Sequence, residues 1–211
     1  MGAWYKLYFF PDEFYGLLNA VEFVKALDPK ISTSRCARML VEDAESGLIL
    51  PGGEVELGVL VRQNLIDRLG KKEQLEVELC MVDTSARVSL TVGVSFATAL
   101  KYGHIMLGWQ CSIFRQCSVV FQDRFWNAMR GFADTCRSGY AICGIELPDD
   151  FHMRVSVDDK GLVIDTSYGW QYGHRIEKAW IRKGLQPPDG LEWCKLEEDN
   201  GGNFDTYKAI V

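Results

Sequence analysis

The sequence has little of what marks a catalytic, metal-binding or membrane protein. Of its 211 residues, three are histidine and six are proline. It contains no HExxH, GxSxG, GxxxxGKS/T or GxGxxG motif and no CxxC pair. No apolar run approaches the ~20 residues that a membrane span needs. These absences exclude the enzyme and metal-site classes that carry a compact local motif, and they predict neither a cofactor nor a metal.

The termini and the cysteines predict a cytoplasmic protein. The first residues, MGAWYK, lack the basic segment and apolar run of a signal peptide. Lys6 stands where a myristoylation site requires Ser or Thr. The seven cysteines are odd in number and show no zinc-ligand spacing, which is typical of reduced thiols used as small apolar side chains.

The negative charge is concentrated in the last third of the chain. The net charge is −6; residues 146–211 hold 13 acids and 8 bases, whereas residues 1–145 hold 16 acids and 15 bases. An acidic region repels nucleic acid and anionic membranes, so neither is an expected partner. A basic protein partner is compatible with it.

Hydrophobic periodicity predicts an α+β fold. Apolar and polar residues alternate over 75–81, 87–96 and 104–113, the period of strands with one buried face, so these segments predict an antiparallel meander. Shorter strands are expected at 4–10, 38–41, 48–50, 140–147, 191–196 and 204–210, with a hairpin of 151–157 and 162–164 around a turn at 158–161 and a break at 51–53.

Helical spacing predicts the remaining elements. Apolar residues three and four apart indicate helices at 14–27, 55–69 and 119–137, the last with Ser118 as its N-cap and Gly139 at its end; a short helix is expected at 175–183, closed by Gly184. We therefore expect an antiparallel sheet with helices packed on one face, in a mixed layered architecture. Residues 1–211 are predicted to form a single domain, with 146–211 as an acidic, aromatic-bearing sub-region of it.

The acidic third is also rich in Trp and Tyr, the residues that are enriched at binding hot spots. We therefore predict a non-catalytic interaction module that binds a basic protein through this region, similar to immunity or adaptor proteins by analogy only. The predicted partner-binding residues are Asp149, Asp150, Trp170, Tyr172, Glu197 and Glu198.

Two alternatives stay open. The tripeptide Tyr-Gly-His occurs twice, at 102–104 and 172–174, and could place His104 or His174 as general base with Asp165 or Glu177 as orienting carboxylate. That arrangement would suit a small metal-independent hydrolase or transferase; otherwise each tripeptide is a turn before the next element. A third possibility is a homo-oligomer whose apolar sheet face packs on a second copy.

Overall fold

The strands were located in a computed structural model, which describes residues 3–11, 36–42, 49–56, 74–97, 104–147, 151–165, 176–196 and 202–210. Twelve strands lie in these ranges: β1 Trp4–Pro11, β2 Cys36–Glu42, β3 Ile49–Glu56, β4 Gln74–Asp83, β5 Val88–Ala97, β6 His104–Gln110, β7 Ser138–Ile145, β8 Val155–Asp158, β9 Gly161–Ile164, β10 Ile176–Arg182, β11 Glu192–Leu196 and β12 Phe204–Ile210.

Ten of these strands form one sheet in the order β11-β12-β10-β7-β1-β6-β5-β4-β2-β3. Every neighbouring pair is antiparallel. The predicted meander is confirmed as β4, β5 and β6, although its last strand ends at Gln110 rather than at residue 113. Register aligns Cys143, Leu7, Leu107 and Val94 across four strands, so their side chains form one buried row.

One side of the sheet, which we call the helix face, carries the two helices of the described ranges. They are α1, Cys111–Phe114, and α2, Val119–Thr135. The Phe125 ring of α2 lies 5.0 Å from that of Trp109, and the Phe132 ring lies 5.1 Å from that of Phe9. The predicted buried stripe of α2 is thus confirmed, and this face holds the larger hydrophobic core.

The opposite side, which we call the hairpin face, is covered by a 3-10 turn at Phe151–Arg154 and by the predicted hairpin of β8 and β9. Phe151 packs on Tyr8 with ring centroids 5.0 Å apart. Gly190 adopts φ +101 beneath Ile164, and a Cβ there would collide with the Ile164 carbonyl oxygen. Close backbone approach therefore joins the segment before β11 to the hairpin.

The helix predicted at 175–183 is wrong, because these residues form strand β10. The register against β7 shifts between Ile176 and Lys178, which is the signature of a bulge. The bulge brings Ile176 and Ala179 to the same face although they are three residues apart, and Trp180 is buried on the other face. A bulged strand buried on both faces thus imitates helical spacing.

Two further expectations need correction. The break predicted at 51–53 is wrong, because strand β3 runs through these residues. The register between β2 and β3 shifts on the strand opposite them, between Arg38 and Leu40. α2 ends at Thr135 rather than at residue 137, and Arg137, two residues later, takes a left-handed φ of 52. Gly139 does not end the helix, because it already belongs to β7. The helix predicted at 14–27 and residues 57–69 of the next one lie outside the described residues.

The fold is therefore mostly antiparallel sheet. Within the described ranges the helices are α1 and α2. These residues do not show the predicted layer of several helices over one face. A single long helix, α2, packs on the helix face. In the same ranges, no helix is both long and apolar enough to cross a membrane.

Candidate functional site

The six predicted partner-binding residues lie outside the described part of the chain, but the residues that flank them do not. Leu147 follows β7 and precedes the segment with Asp149 and Asp150. Ile176 begins β10 and follows the segment with Trp170 and Tyr172, and it pairs in register with Gly144 of β7. These acidic and aromatic segments are therefore attached at the same end of two adjacent strands.

The remaining two acids are attached elsewhere. Leu196, which precedes Glu197 and Glu198, ends β11 and pairs with Thr206. Thr206 in turn pairs with Trp180, which lies four residues along β10 from Ile176. These four residues span about 13 Å at ~3.3 Å per residue, and β11 ends in the direction in which β10 ends. The two attachment points therefore lie towards opposite ends of the sheet.

Two of the four residues of the enzyme alternative, His104 and Glu177, are separated. His104 is buried at 4 % exposure on the hairpin face, where its ring lies 5.9 Å from that of Tyr8. Glu177 is exposed, and its charge acts on Tyr5, Cys111 and Cys143 of the helix face. Asp165 is exposed beyond β9, and His174 lies outside the described residues. His104 and Glu177 are thus on opposite faces of the sheet.

The end of the sheet at which β1 begins, which we call the Trp4 end, gathers exposed groups from three strands. Trp4 is 40 % exposed, and its backbone N–H donates a hydrogen bond of 2.6 Å to the Glu146 carboxylate. The Glu146 N–H donates to the Trp4 carbonyl at 2.8 Å. Register carries β7 and β10 to this same end, where Glu177 is exposed. An aromatic side chain and the Glu146 carboxylate therefore share one strand end, whereas Glu177 lies on the helix face and Trp4, with the strand parity of Tyr8, on the hairpin face.

Below this surface lies a set of buried titratable groups. Burial first, and then the charge of Glu177, raise the pKa of Tyr5. Burial likewise raises the pKa of the Cys111 thiol, with Arg115 opposing and Glu177 and Glu146 adding to the rise. Burial raises the pKa of Cys143 to about 12, against the lowering effect of Lys178. All three groups are neutral at physiological pH, and neutral thiols are poor nucleophiles.

Lys178 is tied to the aromatic cluster of the helix face. Its Nζ lies 3.6 Å from the centroid of the Trp126 ring and 5.6 Å from that of Trp180. The two indoles meet edge to face at 5.8 Å, and Arg130 stacks over Trp180 at 5.4 Å. These cation–aromatic contacts engage the positive charges of Lys178 and Arg130 with the protein's own rings.

The acidic excess of the last third lies mainly outside the described residues. In 146–211 the described residues carry eight acids and seven bases, out of the thirteen and eight in the whole region. The other acids are Asp149, Asp150, Glu197, Glu198 and Asp199. The excess therefore belongs to segments attached at the two opposite ends of the sheet rather than to its strands.

No group of three or more His, Cys, Asp or Glu side chains within the described ranges could hold a metal ion. The five cysteines whose side chains the structure describes, at 111, 117, 136, 143 and 194, are free thiols.

No protein-family model matches the chain, and no curated protein matches its sequence. Among solved structures, the Pseudomonas aeruginosa T6SS protein PA0821 superposes on 98% of this chain and 68% of its own, with 10% identity and a TM-score of 0.39. A likeness at this TM-score carries no argument about fold or function.

Sequence reasoning missed Trp4 and Glu146 as parts of a surface. Trp4 reads as the first residue of a strand, and Glu146 as an ordinary polar residue after one. The sequence separation of 142 positions hides the contact, which strand pairing alone creates. The exposed Trp at the start of β1 was the available signal.

Proposed function

We propose that this protein is a non-catalytic interaction module that binds a basic protein partner through an acidic and aromatic surface at the Trp4 end. The observation that carries the proposal is that the exposed Trp4 lies beside the Glu146 carboxylate at one strand end. The segments with Asp149 and Asp150 and with Trp170 and Tyr172 attach there too.

The chemistry of this end favours binding over catalysis. Exposed carboxylates attract a basic partner and speed its approach, and an exposed indole can enter a pocket of that partner. The nearby thiols are held neutral by burial, which argues against covalent catalysis there. Free thiols at the five cysteines whose side chains are described support a cytoplasmic setting, where thiols stay reduced.

The proposal separates the predicted acids into two groups, and this gives a matched experiment. Reversal of Asp149 and Asp150 to Lys changes the charge by the same amount as reversal of Glu197 and Glu198 to Lys. A basic protein captured from lysate by the wild type should be lost with the first variant and retained with the second. Binding of the purified partner is then measured by calorimetry at two salt concentrations, since charge-driven association weakens with salt.

Trp4→Ala tests the aromatic part of the surface. We expect an affinity loss of roughly 10- to 30-fold, the scale of a hot-spot truncation of about 2 kcal/mol. Leu185→Ala is the control: Leu185 is 39 % exposed, close to the 40 % of Trp4, but it lies at the opposite end beside Arg182. Equal losses from both charge reversals, or equal effects of the Trp4 and Leu185 variants, contradict the proposal.

A further inference from the structure

The two edges of the ten-stranded sheet differ in how well they are protected. β3 forms one edge and contains Pro51, with a register shift in the strand pair beside it. Proline and bulges are devices that prevent edge strands from pairing with another chain. Among the described strands, β11 forms the other edge and reads Glu-Trp-Cys-Lys-Leu, without proline or glycine. Its five residues pair regularly with β12 and show no register shift.

Lysine on an edge strand usually repels an approaching strand, but Lys195 is held away from that role. Its Nζ lies 2.8 Å from Asp205 Oδ2 on β12. Asp205 is two residues from Tyr207, the direct partner of Lys195, so the ion pair runs diagonally back across the sheet. The charge of Lys195 is thereby balanced within the protein, and its aliphatic stem remains at the edge.

We propose that the β11 edge pairs with the β11 edge of a second copy of this chain, antiparallel about a two-fold axis through Cys194. This inference goes beyond the proposed function, because β11 is a different surface from the Trp4 end. The two-fold symmetry follows from the type of contact: the same strand meets itself, which makes the interface isologous and closed.

The sequence of β11 selects this register. Centring the pair on Cys194 uses all five residues and sets Trp193 opposite Lys195 of the second copy, twice. The indole then meets the aliphatic stem of that lysine, a favourable apolar contact that leaves the Lys195–Asp205 ion pair in place. Centring on Lys195 would oppose two like charges and use fewer strand residues. Cys194 is exposed, so its side chain leaves room on the axis.

The interface is small, so we expect weak, concentration-dependent association. In sedimentation analysis under reducing conditions, the mass should rise from 23.9 kDa towards twice that value between about 10 μM and 1 mM. Cys194→Asp places two carboxylates opposite each other and should weaken the dimer roughly fivefold or more. Asn127→Asp, an equal charge change at an exposed position on α2, should leave association unchanged.

A short bis-maleimide tests the register itself. Directly opposed residues in an antiparallel pair have Cα atoms about 4.5–5.5 Å apart, so the reagent should link Cys194 to Cys194. Cys194→Ser should lose the link while keeping the dimer mass. A monomer mass up to about 1 mM overturns the proposal. A dimer whose affinity is unchanged by Cys194→Asp also overturns the proposal. The same holds if Cys194→Ser gives as much cross-linked product as the wild type. Neither result bears on partner binding at the Trp4 end, which the charge reversals there test separately.

Discussion

Burial sorts the cysteines of this protein into inert and reactive thiols. Cys111, Cys117 and Cys143 are buried, and burial raises the pKa of each thiol. Cys194 is exposed on the edge strand β11. The thiolate is the reacting form, so a pKa of about 12 leaves about one Cys143 in 10,000 ionised at pH 8.

We therefore predict that iodoacetamide at pH 8 alkylates Cys194 of the folded protein well before Cys111, Cys117 or Cys143. Peptide mass spectrometry after timed quenching measures the order. The same reaction in urea should label all four at similar rates, because unfolding exposes them to solvent. Rapid native labelling of Cys143 would show that the helix-face core opens readily.

His104 illustrates the limit of residue-level prediction. The Tyr-Gly-His tripeptide correctly marks the start of a strand, since β6 begins at His104. Side chains alternate between the two faces of a strand, so the face on which His104 lies depends on its position in the register of β6. His104 lies on the hairpin face beside Tyr8, while its neighbour Ile105 lies in the helix-face core.

At the scale of elements, the start of α2 was predictable and its anchor was not. The Ser118 hydroxyl accepts a hydrogen bond from the Phe121 N–H at 3.2 Å, which confirms the predicted N-cap. Asp83, at the end of β4, accepts from the Ser118 N–H at 2.6 Å and from the hydroxyl of Ser85 at 2.6 Å. A carboxylate thus ties the β4–β5 turn to the positive end of the helix.

These hydrogen bonds to Ser85, Ser118 and Ala86 hold the pKa of Asp83 far below its usual value. A lowered folded-state pKa means that the stabilisation is present above the unfolded carboxyl pKa, about 3.9, and is lost as pH falls through the folded value. Asp83→Asn should therefore lower the melting temperature by a constant amount from pH 5 to 8. Below about pH 4 the difference from wild type should shrink.

Thermal melts across this pH range measure the effect. Asp159→Asn is the control, since Asp159 is exposed in the β8–β9 turn and carries the same charge. A melting-temperature difference that persists undiminished at the lowest pH would mean that Asp83 acts by packing rather than by its charge.

Across the whole molecule, the two hydrophobic cores share their strands. Leu7 and Phe9 of β1 enter the helix-face core, while Tyr8 and Phe10 enter the hairpin-face core. β7 and β10 contribute to both faces in the same way. Loosening either core therefore disturbs strands on which the other depends, as expected if the chain folds as one domain.

We predict that Phe125→Ala and Phe151→Ala each cost about 3–5 kcal/mol and shift one common unfolding transition. Both side chains are fully buried, Phe125 on the helix face and Phe151 on the hairpin face. Urea unfolding followed by tryptophan fluorescence and far-UV circular dichroism measures this, with exposed Val119→Ala as a control that should change little. Non-coincident transitions in Phe151→Ala would show that the two faces unfold separately.

The sequence by itself determined the features that depend on neighbouring residues. Alternation in β4, β5 and β6 records one buried face, and Ser118 marks a helix start, because both signals are local. The β8–β9 hairpin was predictable for the same reason, since Asp158 and Gly161 suit a tight turn.

Only the tertiary structure decided what depends on strand order and register. β10 is a strand because pairing with β7 and β12 satisfies its backbone on both sides, which outweighs its helix-like spacing. Register alone brings Trp4 beside Glu146 and separates the attachment of Asp149 and Asp150 from that of Glu197 and Glu198. Sheet order leaves β11 at an edge, because no local pattern in five residues states which strand lies beside them.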